Sequence, residues 1–161
     1  MTRIICATRA GEGSRAVQMA AIQEAKDTGL HLVFLYVIES RYYEALDEAM
    51  RPFVRAELYW LAKTLLRIAD NRAKTAGVYP DMVTREGHVR EEIAKFVKES
   101  PTSLLFLGAP RHHKSNTFNS EAINSFALEL QDTTCVPVRI VQPPAQPINK
   151  LDGSKHAKYD D

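Results

Sequence analysis

The chain has few of the residues on which disulfide-rich, zinc-binding or membrane-spanning proteins depend. It contains two cysteines, Cys6 and Cys135, in 161 residues, and neither belongs to a CxxC pair. We therefore expect two buried thiols in a reducing compartment. The longest apolar run, residues 30–38, is too short to cross a bilayer, and the first residues show no signal-peptide pattern. The sequence thus predicts a cytoplasmic protein.

An excess of charge of one sign is also absent. The chain has 21 lysines and arginines against 20 aspartates and glutamates, a formal net charge of +1. No overall field then attracts nucleic acid or a membrane, and we expect neither as a partner; local basic clusters are a separate question. Walker A, GxGxxG, HExxH and GxSxG motifs are missing as well. The adjacent pair His112-His113 has poor spacing for zinc, so the sequence predicts no metal site and no catalytic residue.

Segments with the patterns of strands and of helices alternate along the chain. Strands are predicted at residues 3–8, 31–38, 79–86, 102–107 and 136–141, and helices at 15–27, 43–50, 54–76, 89–99 and 119–130. We expect Ser14 to cap the first helix, Pro52 to interrupt the chain before the long helix, and Pro137 to mark an edge strand. The inward face predicted for the long helix consists of Leu58, Leu61, Ala62, Leu65, Ile68, Ala69 and Ala73.

This alternation predicts an α/β fold, a doubly wound parallel sheet with helices on both faces. We place the domain in residues 1–142, and residues 143–161 have too few apolar side chains to fold alone. Ligands of such sheets bind beyond the carboxyl ends of the strands, where the strand order reverses. The first and fourth strands usually flank that point. The turns after Ala7 and after Leu107 are therefore the candidate site.

The segment from Gly108 to Thr117 is polar and basic and precedes a helix. Arg111 and Lys114 would add charge-assisted hydrogen bonds to a phosphate at the helix N-terminus; the alternative is an ordinary solvated loop. Arg9, on the same rim, either faces the same anion or points to solvent, and Thr8 offers a hydroxyl.

A cluster of aromatic residues is open to two interpretations. Tyr59 and Trp60 lie in the long helix. We expect them to pack against the core or a partner subunit rather than to stack on a base.

Four stretches resemble motifs of the universal stress protein family in order and spacing. They are Ile4 to Arg9, Leu35 to Glu39, the EGHVREEI segment from Glu86 to Ile93, and Leu105 to Gly108 with Thr134 to Val141. The resemblance covers residues 3–142. It implies five parallel strands in the order 3-2-1-4-5, a Rossmann-like sheet, and a homodimer joined along the last strand, Val136 to Val141.

The resemblance also implies binding of ATP or AMP through a motif GxxGx9G[ST], whose glycines let backbone N–H groups approach phosphates. Gly108 matches the first glycine, Arg111 stands at the second, and Asn119-Ser120 stands at the final pair after a shorter spacer. The family aspartate that usually holds the ribose corresponds to Arg9, a reversal of charge. The nucleotide- or anion-binding residues expected are Ala7, Thr8, Arg9, Val37, Gly108, Arg111, Lys114, Asn119 and Ser120.

Two functions follow from these features. The first is a non-enzymatic regulatory stress protein with weak or altered binding of an adenine nucleotide or anion. The alternative is an ATP-binding member that hydrolyses ATP slowly, which needs a magnesium ligand and a positioned water; Glu39 and Glu121 are the acidic residues expected near the rim.

Overall fold

The computed structural model describes residues 2–9, 12–109 and 120–144. Strands and helices alternate through this part of the chain. The strands are β1 (Arg3–Thr8), β2 (His31–Glu39), β3 (Asp81–Gly87), β4 (Thr102–Gly108) and β5 (Val138–Val141). The helices are α1 (Glu12–Thr28), α2 (Arg41–Glu44), α3 (Arg51–Thr75), α4 (Val89–Glu99) and α5 (Ser120–Thr134).

All five strands belong to one parallel sheet in the order β3-β2-β1-β4-β5, so the predicted fold class and strand order are confirmed. The strand order reverses between β1 and β4, where Ala7 pairs with Leu107. β5 begins at Val138 rather than at residue 136, because Pro137 has no N–H group for the ladder. The Pro137 carbonyl instead accepts a hydrogen bond from the Leu105 N–H at 3.0 Å.

Helices cover both faces of the sheet and bury a core on each. The core under α1 and α3 contains Ile4, Cys6, Val17, Ala21, Ile22, Ala25, Leu32, Phe34, Leu66, Ala69, Ala73 and Phe106. The core under α4 and α5 contains Ile5, Val33, Leu35, Ile93, Phe96, Val97, Leu105, Leu107, Ile123, Phe126, Ala127 and Leu130. Alternate residues of β1 and β4 enter opposite cores, as the two-residue period of a strand requires.

The inward face of α3 differs from its prediction. Ala62, Ala69 and Ala73 are fully buried, whereas Leu61 and Ile68 are exposed. Small side chains let the helix backbone approach the sheet, so the alanine stripe becomes the centre of the contact. Leu61 and Ile68 each precede one of these alanines and therefore lie about 100° further around the helix. Pro52 occupies the first turn of α3, where proline is tolerated, and does not interrupt the helix.

Two further expectations about single residues are wrong. Cys6 is buried, but Cys135 is exposed. Cys135 follows the last residue of α5 with a φ of 56°, and its N–H donates to the Gln131 carbonyl at 2.9 Å, so it ends the helix instead of packing in the core. Ser14 lies inside α1 rather than before it, and its hydroxyl donates to the Arg9 carbonyl.

A carboxylate joins α3 to the end of β3. Glu86 accepts hydrogen bonds from Arg55 Nε at 2.6 Å and Nη2 at 2.7 Å, from the Tyr59 hydroxyl at 2.6 Å, and from the Tyr43 hydroxyl. The Arg55 guanidinium also lies 5.2 Å from the centroid of the Tyr59 ring. We call Glu86, Arg55, Tyr43 and Tyr59 the Glu86 cluster. Tyr59 is thus a packing residue, as predicted, whereas Trp60 is exposed.

The chain turns sharply after the Glu86 cluster. Gly87 has a φ of 150°, and a Cβ atom at this position would lie 2.9 Å from Glu92 Cγ. Glycine therefore allows the close approach of the strand end to the first turn of α4. The same turn brings Glu39 at the end of β2 next to His88 and Val89.

Candidate functional site

A cavity of about 50 Å³ lies at the carboxyl ends of β1 and β4. Helices from both faces of the sheet contribute to its walls. The lining residues are Ala7, Thr8, Arg9, Ser14, Val17, Val37, Val89, Ile93, Leu107, Gly108 and Ile123. Most of these side chains are apolar, and none of the described ones is acidic. The arrangement suits a flat apolar group with a polar or anionic substituent at the mouth.

Arg9 bridges the ends of the two strands. It is the first residue beyond β1, its side chain is exposed, and its Nη2 atom donates to the Gly108 carbonyl at 3.5 Å. Partial desolvation lowers the pKa of the Arg9 guanidinium, but an arginine remains charged at every physiological pH. The rim of the cavity therefore carries a fixed positive charge, which would attract an anion.

Thr8 is held by a buried polar chain. Its hydroxyl oxygen accepts a hydrogen bond from Gln18 Nε2 at 2.7 Å, and Gln18 Oε1 accepts one from Arg72 Nη1 at 2.7 Å. Each member fixes the next, so the orientation of Gln18 is set by the charged arginine. The Thr8 hydroxyl keeps its own proton, which it can donate to a ligand oxygen.

Glu39 is buried near the cavity, at the end of β2. It accepts hydrogen bonds from Arg41 Nε and Nη2, both at 2.9 Å, and from the Val89 N–H at 3.4 Å, and it lies 3.2 Å from His88 Nδ1. The hydrogen bonds from Arg41, then those from His88 and the backbone, hold the pKa of Glu39 at about 2. Glu39 is thus a poor base, and its position at the amino end of α4 stabilises that helix.

The structure brings together five of the residues predicted from sequence. Ala7, Thr8, Arg9, Val37 and Gly108 all line the cavity. Ser120 begins α5, and nothing is described of its side chain. Arg111, Lys114 and Asn119 lie outside the described residues, and so do His112 and His113.

Six further lining residues were not predicted as binding residues, although the turn after one of them, Leu107, was predicted as part of the site: Ser14, Val17, Val89, Ile93, Leu107 and Ile123. Most of them were expected in helices or strands as core side chains, because their apolar spacing alone gives no sign that they border a void. Glu121, the second acidic residue expected near the rim, lies exposed on α5 and does not line the cavity.

The part of the chain that the structure describes offers neither a metal site nor a membrane-spanning helix. No group of three or more histidine, cysteine, aspartate or glutamate residues in residues 2–9, 12–109 and 120–144 has the geometry to hold a metal ion. Within the same residues, none of the helices combines the length and apolar character needed to cross a membrane.

Comparison with known proteins gives a family and a fold. A model of the universal stress protein family matches residues 1–142. No curated protein matches the chain by sequence. Among solved structures, the universal stress protein UspA from Lactobacillus plantarum is similar, with a TM-score of 0.68, 19% identity, and coverage of 87% of this chain and 97% of that one.

Two other similar structures contain nucleotides. One is the universal stress protein from Archaeoglobus fulgidus in complex with dAMP, with a TM-score of 0.61, 14% identity, and coverage of 88% of this chain and 98% of that one. The other is a universal stress protein in complex with cAMP, with a TM-score of 0.61, 17% identity, and coverage of 89% and 98%. Because these sequence identities are low, the similarity to the three structures shows a shared fold and nothing further.

Proposed function

Because this chain belongs to the universal stress protein family, we propose that it is a non-enzymatic regulatory protein that binds an adenine nucleotide or similar organic anion weakly. The site is the cavity between the ends of β1 and β4. The observation that carries this proposal is the apolar cavity with the Arg9 guanidinium at its mouth. Apolar walls suit a purine, and the cation suits a phosphate. The dAMP and cAMP complexes of similar folds support this ligand class.

Two features support weak or altered binding. Pockets for small molecules usually enclose about 300–1,000 Å³, whereas this cavity measures about 50 Å³. The cavity must therefore open to admit a base, and that rearrangement lowers affinity. In addition, Arg9 corresponds to the family aspartate expected to hold the ribose. An aspartate at this position would accept hydrogen bonds from the ribose hydroxyls. The Arg9 guanidinium instead donates hydrogen bonds, which suits an anion such as a phosphate.

We propose that the protein does not hydrolyse ATP because Glu39, the acidic residue predicted near the cavity rim that is buried there, is fully engaged in other contacts. Phosphoryl transfer to water requires a magnesium ligand and a positioned water. Glu39 is already occupied by Arg41, His88 and the Val89 N–H, and its pKa of about 2 makes it a poor base. A phosphate-release assay with magnesium and ATP is expected to match the protein-free blank. Turnover that disappears in Ser120→Ala would favour the hydrolytic alternative.

The ligand is tested by titration calorimetry with AMP, ADP, ATP and cAMP. Arg9→Ala is expected to weaken nucleotide binding about tenfold, because it removes one charge-assisted hydrogen bond of roughly 1.5 kcal/mol. Arg9→Asp is expected to weaken it further through repulsion of the phosphate. Arg3→Ala, a matched control at the opposite end of β1, leaves the affinity unchanged.

Either of two results would contradict the ligand proposal. One is the absence of heat with every nucleotide up to millimolar concentration. The other is an Arg9→Ala protein that binds as tightly as the native chain, which would place the anion away from the rim.

We also propose a homodimer through β5. Among the described strands β5 pairs only with β4, so its outer edge is available for pairing except at the Val138 N–H, which donates to Gln131 Oε1 at 2.9 Å. Sedimentation equilibrium is expected to return the mass of a dimer at micromolar concentration. A monomer mass across the whole concentration range would remove this proposal without affecting the ligand site.

A further inference from the structure

The outer side of α3 exposes large apolar side chains that the fold does not use. Phe53 and Trp60 are 70% and 65% exposed, and Leu61 and Ile68 are exposed as well. Single exposed apolar residues are common on protein surfaces. Phe53 and Trp60 lie opposite the buried alanine stripe, and Leu61 and Ile68 flank them, with the exposed Glu57 between the two pairs. Together the four apolar residues form a patch of the kind that marks an interaction surface.

These residues share one side of the helix. Trp60 follows Phe53 by seven residues, which is two turns and about 10.5 Å along the axis, and Ile68 follows Leu61 by the same interval. Ala62 and Ala69, on the buried side, pack toward the sheet, Ala62 in a cluster with Ile38 of β2 and Ala69 in the core under α1 and α3. Phe53, Trp60 and Leu61 therefore form a convex ridge, whereas Ile68, at its end, also borders a groove against Met19 of α1.

Positive charge is concentrated on the same helix. α3 contains six basic and two acidic residues, although the whole chain has a net charge of only +1. Arg55 and Lys74 pair with Glu86 and Asp70. Lys63 and Arg67 are exposed beside the ridge, and no carboxylate of the described residues pairs with either. We call Phe53, Trp60, Leu61, Lys63, Arg67 and Ile68 the Trp60 face.

We propose that the Trp60 face docks on an anionic lipid surface. A flat surface contacts a convex ridge along its length, and tryptophan and other amphipathic aromatic residues favour the boundary between lipid and water. Each lysine or arginine near such a surface attracts anionic headgroups. A second copy of the chain fits less well, because its Lys63 and Arg67 would face residues of the same sign. This surface lies over β2 and β3, away from β5, so the proposal is independent of the nucleotide site and of the β5 dimer.

Trp60 is the only tryptophan in the chain and reports directly on this surface. Vesicles of phosphatidylcholine mixed with phosphatidylglycerol are expected to shift its emission to shorter wavelength and to protect it from iodide quenching. Vesicles of phosphatidylcholine alone are expected to leave the emission unchanged. Raising the salt concentration is expected to reverse the shift, because screening weakens the attraction.

Charge and apolar contacts are tested separately. The double variant Lys63→Glu/Arg67→Glu is expected to weaken vesicle binding at least about tenfold. Its matched control, Lys95→Glu/Lys98→Glu, makes the same charge change at exposed positions of α4 on the other face of the sheet and binds as the native chain does. Phe53→Ser is expected to weaken binding, and Leu128→Ser, on an exposed leucine of α5, is not. Far-ultraviolet circular dichroism verifies that each variant is folded.

Several outcomes would overturn the proposal. They are an unchanged spectrum with anionic vesicles, an equal shift with neutral vesicles, and equal binding by the Lys63→Glu/Arg67→Glu protein and its control. A blue shift that grows with protein concentration in the absence of lipid would assign the face to a second copy. A shift with polyglutamate but not with vesicles would assign it to an acidic protein.

Discussion

Val37→Phe is expected to lower the affinity for adenine nucleotides by about a hundredfold or more. Val37 lies on β2 and lines the cavity from the side opposite β4. A phenyl group at this position would occupy the cavity of about 50 Å³, and a base could then enter only by displacing it. A loss of about 2.7 kcal/mol in binding free energy corresponds to a hundredfold change.

The same variant is expected to fold. The phenyl ring enters a space that already exists, so the free energy of unfolding changes by less than the roughly 1–3 kcal/mol typical of overpacked cores. Val37→Ala is the matched control, since it enlarges the cavity. It is expected to bind nucleotide at least as well as the native chain while losing about 1–2 kcal/mol of stability.

Titration calorimetry and denaturant unfolding of both variants distinguish steric blocking from general destabilisation. Native affinity in a folded Val37→Phe protein would place the ligand outside this cavity. Equal loss of affinity in both variants would indicate that binding depends on stability rather than on the shape of the cavity.

The sheet could be predicted from sequence because most of its strands contain a short apolar run bounded by polar residues; β3, DMVTREG, has only Met82 and Val83. The alternation of strands and helices predicted a doubly wound parallel sheet, and the family resemblance supplied the strand order 3-2-1-4-5. The ends of β1 and β4 were predicted as the candidate site because strand order alone determines where a parallel sheet reverses. Ala7, Thr8 and Gly108 follow from that position, whereas Val37, on β2, was predicted only from the family resemblance.

The contacts that give the site its character join residues far apart in the chain. Arg9 and Gly108 are 99 positions apart, and Glu39 and His88 are 49 apart. No local sequence pattern specifies that the Arg9 guanidinium lies across the end of β4 or that the ionised Glu39 carboxylate is already paired with Arg41. The face of α3 was mispredicted for a related reason. Leucine, isoleucine and alanine all count as apolar in a periodic pattern, and only the distance between helix and sheet selects the alanines.

Glu86→Ala is expected to lower the free energy of unfolding by about 3 kcal/mol. The variant removes the acceptor of four hydrogen bonds from Arg55, Tyr43 and Tyr59. Hydrogen bonds to a charged group contribute a net of roughly 1.5–3 kcal/mol each when buried, and the total is smaller than their sum because the Arg55 side chain is 53% exposed. The Tyr43 hydroxyl, on a buried side chain, is left without this acceptor. Glu99→Ala is the matched control, because Glu99 pairs with Arg85 at an exposed position and should contribute less than about 1 kcal/mol.

The Glu86 cluster also predicts how stability varies with pH. The hydrogen bonds from Arg55, then those from the two tyrosines, lower the pKa of Glu86 from 4.5 to about 2. The folded state thus binds fewer protons than the unfolded state between these values, and the stability from Glu86 is present above pH 4.5 and is lost as the pH falls toward 2. Burial and the hydrogen bond to Glu86 raise the pKa of Tyr43 from 10 to about 12, so its contribution is lost as the pH rises through that range.

Urea unfolding from pH 2 to pH 12 measures both limits. Glu86→Gln keeps a hydrogen-bond acceptor but cannot titrate, so it is expected to reduce the slope of stability against pH on the acid side. The control variant Glu99→Gln is expected to keep the native profile. Glu39, whose pKa is also about 2, retains its own acid dependence, so part of the slope persists in Glu86→Gln and disappears when Glu39→Gln is added. An acid limb unchanged in the double variant would show that these two carboxylates do not link α3 and α4 to the strand ends in the way their hydrogen bonds indicate.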